Sequence, residues 1–201
     1  MNKEKLKQMI KQVILENREK SVLLESPYLN EDRKPKYERI IDVLQGINED
    51  VQTCAMLSGQ NPMAQETDPR LNVFLDRKFK KRLGELGIRS EAIMGVFGGQ
   101  AEKSGLLLNV DELTCDKLCR EFKQWGFLFG TKMLKGREGS FMEFRMYEID
   151  YDHHMGWKED KFSKATDKII LDPDLKGVDD NVSVDPTSKK KWQIPVYPDE
   201  D

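Results

Sequence analysis

The chain has 201 residues, of which 38% are hydrophobic and 34% are charged, so it is polar for a globular protein without having the composition of a wholly disordered one. Residues 1–147 carry 25 Lys and Arg against 22 Asp and Glu, whereas residues 148–201 carry 8 against 14, which gives the net charge of −3. An acidic carboxyl-terminal part argues against nucleic-acid binding by the whole chain, because phosphate binding needs a positive surface.

Neither a membrane span nor a disulfide framework is predicted. No apolar run approaches the roughly 20 residues that a membrane-spanning helix needs. Lysines interrupt the apolar positions near the amino terminus, unlike the continuous apolar core of a secretory signal. The three cysteines are an odd number, which favours buried thiols in a reducing cytoplasm over disulfides or a zinc site.

Two helices are predicted before the first strand. Residues 1–20 form an amphipathic helix, with a docking role favoured and contact with a membrane surface or a partner groove as the alternative. Pro27 and Pro35 bound a loop, and a second helix runs from about 37 to 47. The apolar stripe of the first helix consists of Leu6, Met9, Ile10, Val13 and Ile14.

The following elements alternate between strands and helices. Asp68 and Pro69 are typical of a helix start, and Gly87 of a helix end. Asn109 is predicted to begin another helix, with Glu112 completing a capping box. The predicted elements are strands at 51–58, 92–97, 106–108, 127–129 and 141–149, and helices at 68–87 and 109–126.

This order predicts an α+β fold with a single mixed or antiparallel sheet and helices packed on one face. We expect an amphipathic amino-terminal helix (1–20), an α+β core domain (35–149) and an acidic, extended carboxyl-terminal arm (150–201). Apolar islands in the arm suggest that it docks on this domain or on a neighbour. The residues expected to contact a partner are Trp192, Ile194, Val196 and Tyr197.

Two polar clusters have a structural and a functional interpretation. Asp150, Asp152, His153 and His154 could hold a divalent metal, but a solvated turn is favoured, and no metal or cofactor is predicted. The basic run at 77–82 is favoured as a solvated helix face, so nucleic-acid binding through it is possible but not favoured. No motif of a catalytic nucleophile, a metalloprotease or a phosphate-binding loop is present, and no catalytic residue is predicted.

A ligand site is the main alternative to a docking function. Ser58 and Asn61 lie where a strand ends before a helix, a position that often lines a ligand crevice. The predicted pocket lies near these two residues and near Gly98 and Gly99, with Arg77 and Lys81 as basic groups that could assist, and its expected ligand is nucleotide-like.

Two resemblances rest on short motifs. Residues 54–132 resemble a small bacterial and phage α+β family of unknown function, which has Asn-Pro after a strand (Asn61-Pro62), an Asn in the next helical turn (Asn72) and Phe/Trp-Gly before an aromatic strand (Trp125-Gly126). The Lys-rich first helix ending in Ile14-Leu15-Glu16 resembles proteins of T-even-like contractile-tailed phages, some of which are cleaved after that Glu.

The favoured hypothesis is therefore a non-enzymatic phage accessory or virion-associated protein, located in the host cytoplasm or the virion. It would dock through its terminal helix and its arm on another protein, such as a phage structural protein or a second copy of itself. The alternative is a domain that binds or processes a small ligand.

Overall fold

The computed structural model describes residues 34–97, 100–136, 139–158, 165–171 and 182–195. These ranges contain helices α1 (Lys36–Leu44), α2 (Pro69–Glu85) and α3 (Glu112–Phe122), and a short 3₁₀ turn (Pro62–Ala64). The predicted helix at 1–20, the turn at Gly98-Gly99, and Val196 and Tyr197 lie outside the described residues. The strands are β1 (Thr53–Ser58), β2 (Arg89–Phe97), β3 (Gln100–Leu108), β4 (Gly126–Leu134), β5 (Ser140–Glu148), β6 (Ile170–Leu171), β7 (Val182–Val184) and β8 (Lys191–Gln193).

The strands form one antiparallel sheet in the order β5-β4-β1-β3-β2-β7-β8-β6. This confirms the predicted α+β class and the single sheet. Three of the strands come from the region beyond residue 149, and β7 pairs with β2 through the register Gly95↔Ser183. The described part of the acidic region therefore docks on this domain, which was one of the two predicted alternatives.

Alternate residues of the strands enter two hydrophobic clusters, one on each face of the sheet. Cys54 belongs to the cluster with α1, and its neighbour Ala55 belongs to the cluster with α2 and α3. Leu106 and Leu107 divide in the same way, because successive side chains of a strand point to opposite faces. The prediction of helices on one face holds for α2 and α3, whereas α1 packs in the cluster of the other face.

The predicted start of α2 is confirmed, whereas the predicted start of α3 is corrected. Asp68 caps α2 by accepting a 2.7 Å hydrogen bond from Arg70 N, and Pro69 is the first helical residue, as predicted. For α3 the cap is Asp111, which accepts from Thr114 N at 2.7 Å, so the predicted Asn109 cap is wrong. The Asn109 side chain instead bonds to the backbone around β1, at Gln52 N and Asp50 O.

The sheet curls, so that strands distant in its order approach each other on the α1 face. Ser183 Oγ on β7 lies 3.8 Å from Met56 Sδ on β1, although β3 and β2 lie between these strands. A concave surface results beside the cluster that contains α1. None of the helices in the described ranges is long and apolar enough to cross a membrane.

Candidate functional site

A cavity of about 100 Å³ lies on the concave face of the sheet, at the end of β1 where Ser58 pairs with Ser104 of β3. Strands from both halves of the sheet form its walls, and Ile194, just beyond β8, contributes to the lining. Its polar lining consists of Ser58, Asn61, Glu102, Ser104, Gln124 and Ser183. Its apolar lining includes Met56, Leu57, Ile93, Phe127, Leu128, Met146, Val182 and Ile194.

Glu102 is the one titratable side chain among the described residues that line this cavity. Burial raises the pKa of its carboxyl group from 4.5 to about 7, although hydrogen bonds from Ser58 and Asn61 act in the opposite direction. Burial disfavours the charged form because the cavity replaces water by an apolar environment. A carboxyl group with a pKa near neutrality can accept or release a proton under ordinary conditions.

The side chain of Asn61 is fixed by residues of the following loop and helix. Its Oδ1 accepts hydrogen bonds from Asn72 Nδ2 at 2.7 Å and from Thr67 Oγ1 at 3.0 Å. Its backbone N–H donates to Asn72 Oδ1 at 3.0 Å. Because an amide oxygen only accepts, the Nδ2 group is the part of Asn61 that donates to Glu102.

Buried glutamines tie the loop after β1 to its neighbours. Gln60 Oε1 accepts from Lys103 N at 2.8 Å, and Gln60 N donates to Ser58 Oγ at 2.9 Å. Gln124 Nε2 donates to Gln60 O at 2.8 Å, which joins this loop to the end of α3. The polar part of the cavity wall therefore consists of groups whose orientation is set by partners behind them, an arrangement that preorganises a binding site.

The loop also contains backbone conformations that L-amino acids rarely adopt. Asn61 has φ 46°, Met63 has φ 57° and Ala64 has φ 54°. Asn tolerates this left-handed region, but for Met and Ala it costs free energy that the surrounding contacts must offset. Strained backbone of this kind concentrates at functional sites. Asn61 and Ala64 both line the cavity.

The structure brings together two of the six residues predicted to bind a ligand. Ser58 and Asn61 line the cavity, whereas Gly98 and Gly99 are outside the described residues. Arg77 and Lys81 are exposed on α2 and absent from the lining, and Lys81 forms an ion pair of 3.6 Å with Glu85. The two basic residues are thus part of a solvated helix face, which corrects their predicted role.

Sequence reasoning missed Glu102, Ser104 and Gln124. The sequence predicts this strand only at 106–108, whereas β3 begins at Gln100. Extending the alternation of β3 back from Leu106 would have placed Glu102 and Ser104 on the same face as that buried residue. Gln124 follows α3 in the chain, and no local pattern marks it.

The candidate metal ligands near residue 150, for which a solvated turn is the favoured prediction, belong to a loop held by Arg120. Its guanidinium donates to the carbonyl oxygens of Asp150, His153 and Gly156, each at 2.8 Å. The Asp150 carboxylate contacts the ring of His153 and accepts from Asp152 N at 2.9 Å. Within the ranges that the structure describes, no three His, Cys, Asp or Glu side chains cluster as metal ligands. This loop is therefore a turn fastened to α3.

Trp192 and Ile194, predicted to contact a partner, are inside this domain. Trp192 is fully buried and its ring lies 6.1 Å from that of Tyr37 on α1, and Ile194 is 2% exposed. A side chain in the core cannot bind a partner without unfolding, so the partner role of these two residues is wrong. The prediction for Val196 and Tyr197 is outside the described residues.

The three cysteines are free and buried, as predicted. Burial raises the pKa of the Cys54 thiol to about 12 and the pKa values of Cys115 and Cys119 well above the ordinary value. A thiol with a raised pKa is a poor nucleophile, because the thiolate is the reactive form. These residues therefore pack as small apolar groups.

Residues 57–126 match the sequence profile of a family described as a protein of unknown function (DUF3293). The matched segment contains the Asn61–Asn72 pair and five of the six polar residues that line the cavity: Ser58, Asn61, Glu102, Ser104 and Gln124. No curated protein matches the chain.

Proposed function

We propose that the protein binds a small organic molecule in the cavity beside Glu102. The observation that carries this proposal is the carboxyl group of Glu102, which is partly buried, lines the cavity and has no salt bridge to any residue that the structure describes. Burying an ionisable group without a counter-charge lowers stability, and such groups concentrate where they contact a ligand.

The lining defines the kind of molecule that fits. The described lining residues include no Lys or Arg, and the one charged group among them is the acidic Glu102. A phosphate group would meet a carboxylate and no basic partner, so this cavity disfavours the nucleotide-like ligand expected from the sequence. An engineered apolar cavity of about 150 Å³ holds benzene. A cavity of about 100 Å³ therefore suits a molecule, or one end of a molecule, of roughly four to six heavy atoms.

Native mass spectrometry of gently purified protein tests this proposal, together with thermal unfolding in a panel of small alcohols, ketones and heterocycles. Ser104→Leu should fill the cavity, because Ser104 lines it on β3. Ala101→Leu is the matched control, since Ala101 is exposed and on the opposite face of the same strand. Binding in the cavity is supported if wild type and Ala101→Leu retain a bound mass or are stabilised by a probe, and if Ser104→Leu loses that effect. The proposal is contradicted if wild type shows neither a bound mass nor stabilisation by a probe. It is also contradicted if Ser104→Leu shows the same effect as wild type.

A docking function in a phage protein remains a hypothesis that rests on the sequence alone. It depends on the amino-terminal helix and on Val196 and Tyr197, which are outside the described residues. The bacterial or phage origin, like a place in the virion or the host cytoplasm, depends on the same sequence resemblances. The cavity is supported by contacts between described residues, so we place ligand binding first.

A further inference from the structure

We propose that the ligand is a small organic cation, a primary ammonium or amidinium group on a short apolar body, whose positive end contacts Glu102. This inference rests on the proposed binding function and names the class of molecule. It depends on the acceptor positions of Glu102 that no described donor fills, on the absence of any basic group among the described lining residues, and on the apolar part of the walls.

The hydrogen-bond donors that the described residues direct to Glu102 do not use the full capacity of its carboxylate. Ionised carboxylates accept about four hydrogen bonds. Asn61 donates through Nδ2, and Ser58 has a single hydroxyl proton, for which Glu102 competes with Lys103 O at 2.9 Å from Ser58 Oγ. An ammonium group brings up to three donors and a positive charge, so it would fill the remaining acceptor positions.

The rest of the cavity suits the apolar body of such a cation. Met56 and Met146 offer polarizable sulfur, and Ile93 and Leu128 offer aliphatic surface. Ile194 and Val182 also line the cavity. A carboxylate among these groups attracts a cation strongly, because the apolar surroundings screen charge less than water does.

Protonation of Glu102 should couple to binding. The side chains that face this carboxyl from β1, β2, the loop after β1 and the rest of β3 are neutral: Ser58, Ile93, Asn61 and Ser104. Because burial places the pKa of Glu102 at about 7, the carboxylate is present above neutrality and neutralised below it. Affinity for a cation should therefore fall as the pH decreases. Above neutrality Glu102 is already ionised, so binding of the cation should not require this carboxyl group to release a proton.

Three probes of matched size test the inference: n-butylammonium, n-butanol and butyrate, titrated into the full chain and followed by NMR chemical shifts. At about pH 8 we expect n-butylammonium to bind at least tenfold more tightly than n-butanol, and butyrate to bind least, because charge-assisted hydrogen bonds are the stronger ones. Glu102→Gln should remove the preference for the cation while leaving n-butanol binding in place. Lowering the pH to about 5.5 should reduce the wild-type affinity for n-butylammonium.

Two results would overturn the inference, and they differ in what they say of the cavity. Equal binding of n-butanol and n-butylammonium, unchanged in Glu102→Gln, would reject the cation while leaving a small-molecule site in place. Binding of none of the three probes would reject the cation and count against the proposed function too. Glu66→Gln, an exposed change in the loop before α2, controls for nonspecific loss of negative charge.

Discussion

Asn72 Nδ2 donates a hydrogen bond of 2.7 Å to Asn61 Oδ1, and this contact sets the direction of the amide that faces Glu102. The two asparagines are eleven positions apart in the chain. Their hydrogen bonding is reciprocal, because Asn61 N also donates to Asn72 Oδ1. The pair fastens the strained loop after β1 to the first turn of α2. The asparagines that stood out in the sequence thus act together as one support of the cavity wall.

Asn72→Ala should lower the free energy of unfolding by about 1–3 kcal/mol, because it leaves the Asn61 backbone N–H without its acceptor and removes the donor to Oδ1. Urea denaturation measures this change. Gln65→Ala, in the exposed part of the same loop, is the control and should cost less than about 0.5 kcal/mol. Equal effects of the two substitutions would show that the asparagine pair does not support the loop.

The buried carboxyl of Glu102 should make stability fall as the pH increases. Its pKa is 4.5 when exposed and about 7 in the folded protein, so the folded state holds more protons between these values. Its contribution is full below about pH 4.5 and is lost as the pH passes through about 7, a decrease on the order of 2 kcal/mol after allowance for partial exposure.

Urea denaturation at several pH values checks this dependence in wild type, Glu102→Gln and Glu66→Gln. Glu102→Gln should flatten the curve between about pH 5 and pH 8, whereas Glu66→Gln should keep its wild-type shape. A Glu102→Gln curve parallel to that of wild type would mean that the carboxyl is not buried as described.

Arg120→Ala should be among the most destabilising substitutions on α3. It removes the partner of Asp116, which is fully buried with its carboxylate 3.0 Å from Arg120 Nε, and it frees the loop at 150–156. Removing one partner of a buried ion pair costs about 3–5 kcal/mol. Lys117→Ala, an exposed change on the same helix, is the matched control for denaturation and limited proteolysis. A cost below about 1 kcal/mol for Arg120→Ala would contradict the role of this residue.

Trp192→Ala and Trp192→Phe separate core packing from docking on a partner. The alanine substitution should cost about 3–5 kcal/mol, because Trp192 is fully buried against Tyr37. The phenylalanine substitution should cost less, since it also removes a buried indole N–H that has no acceptor among the described residues. Thr187→Ala, in the exposed turn before β8, is the control. Wild-type stability of Trp192→Ala would instead favour a side chain kept for a partner.

The sequence predicts elements that carry local signals and misses those that tertiary contacts determine. Asp68 and Pro69 mark the start of α2, because a capping side chain and a fixed proline φ act within a few residues. Asn109 has the same kind of local signal, yet its side chain hydrogen-bonds to the backbone of residues 50 and 52, which are 59 and 57 positions away. No local pattern reports such a partner.

The cavity residues also divide into those with a local sequence signal and those placed by tertiary contacts. Ser58 and Asn61 can be predicted because a strand ends beside them, whereas Glu102 is in the polar first half of β3, where residues 100–103 pair with β2 alone. The strands β6, β7 and β8 contain two or three residues each, too few for an alternation to be recognised. They join the sheet through β2, and Val182 and Ile194 then close the cavity.

The most direct measurement of the central claim is a methyl NMR spectrum of protein with ¹³C-labelled methionines, recorded during titration with n-butanol. Met56 and Met146 line the cavity, whereas Met133 and Met155 are 40% and 54% exposed elsewhere and serve as internal controls. We predict saturable shifts of the Met56 and Met146 methyl signals, unchanged signals of the two exposed methionines, and loss of the response in Ser104→Leu. Shifts of all four signals in proportion to added n-butanol, or of none, would contradict a ligand site in this cavity.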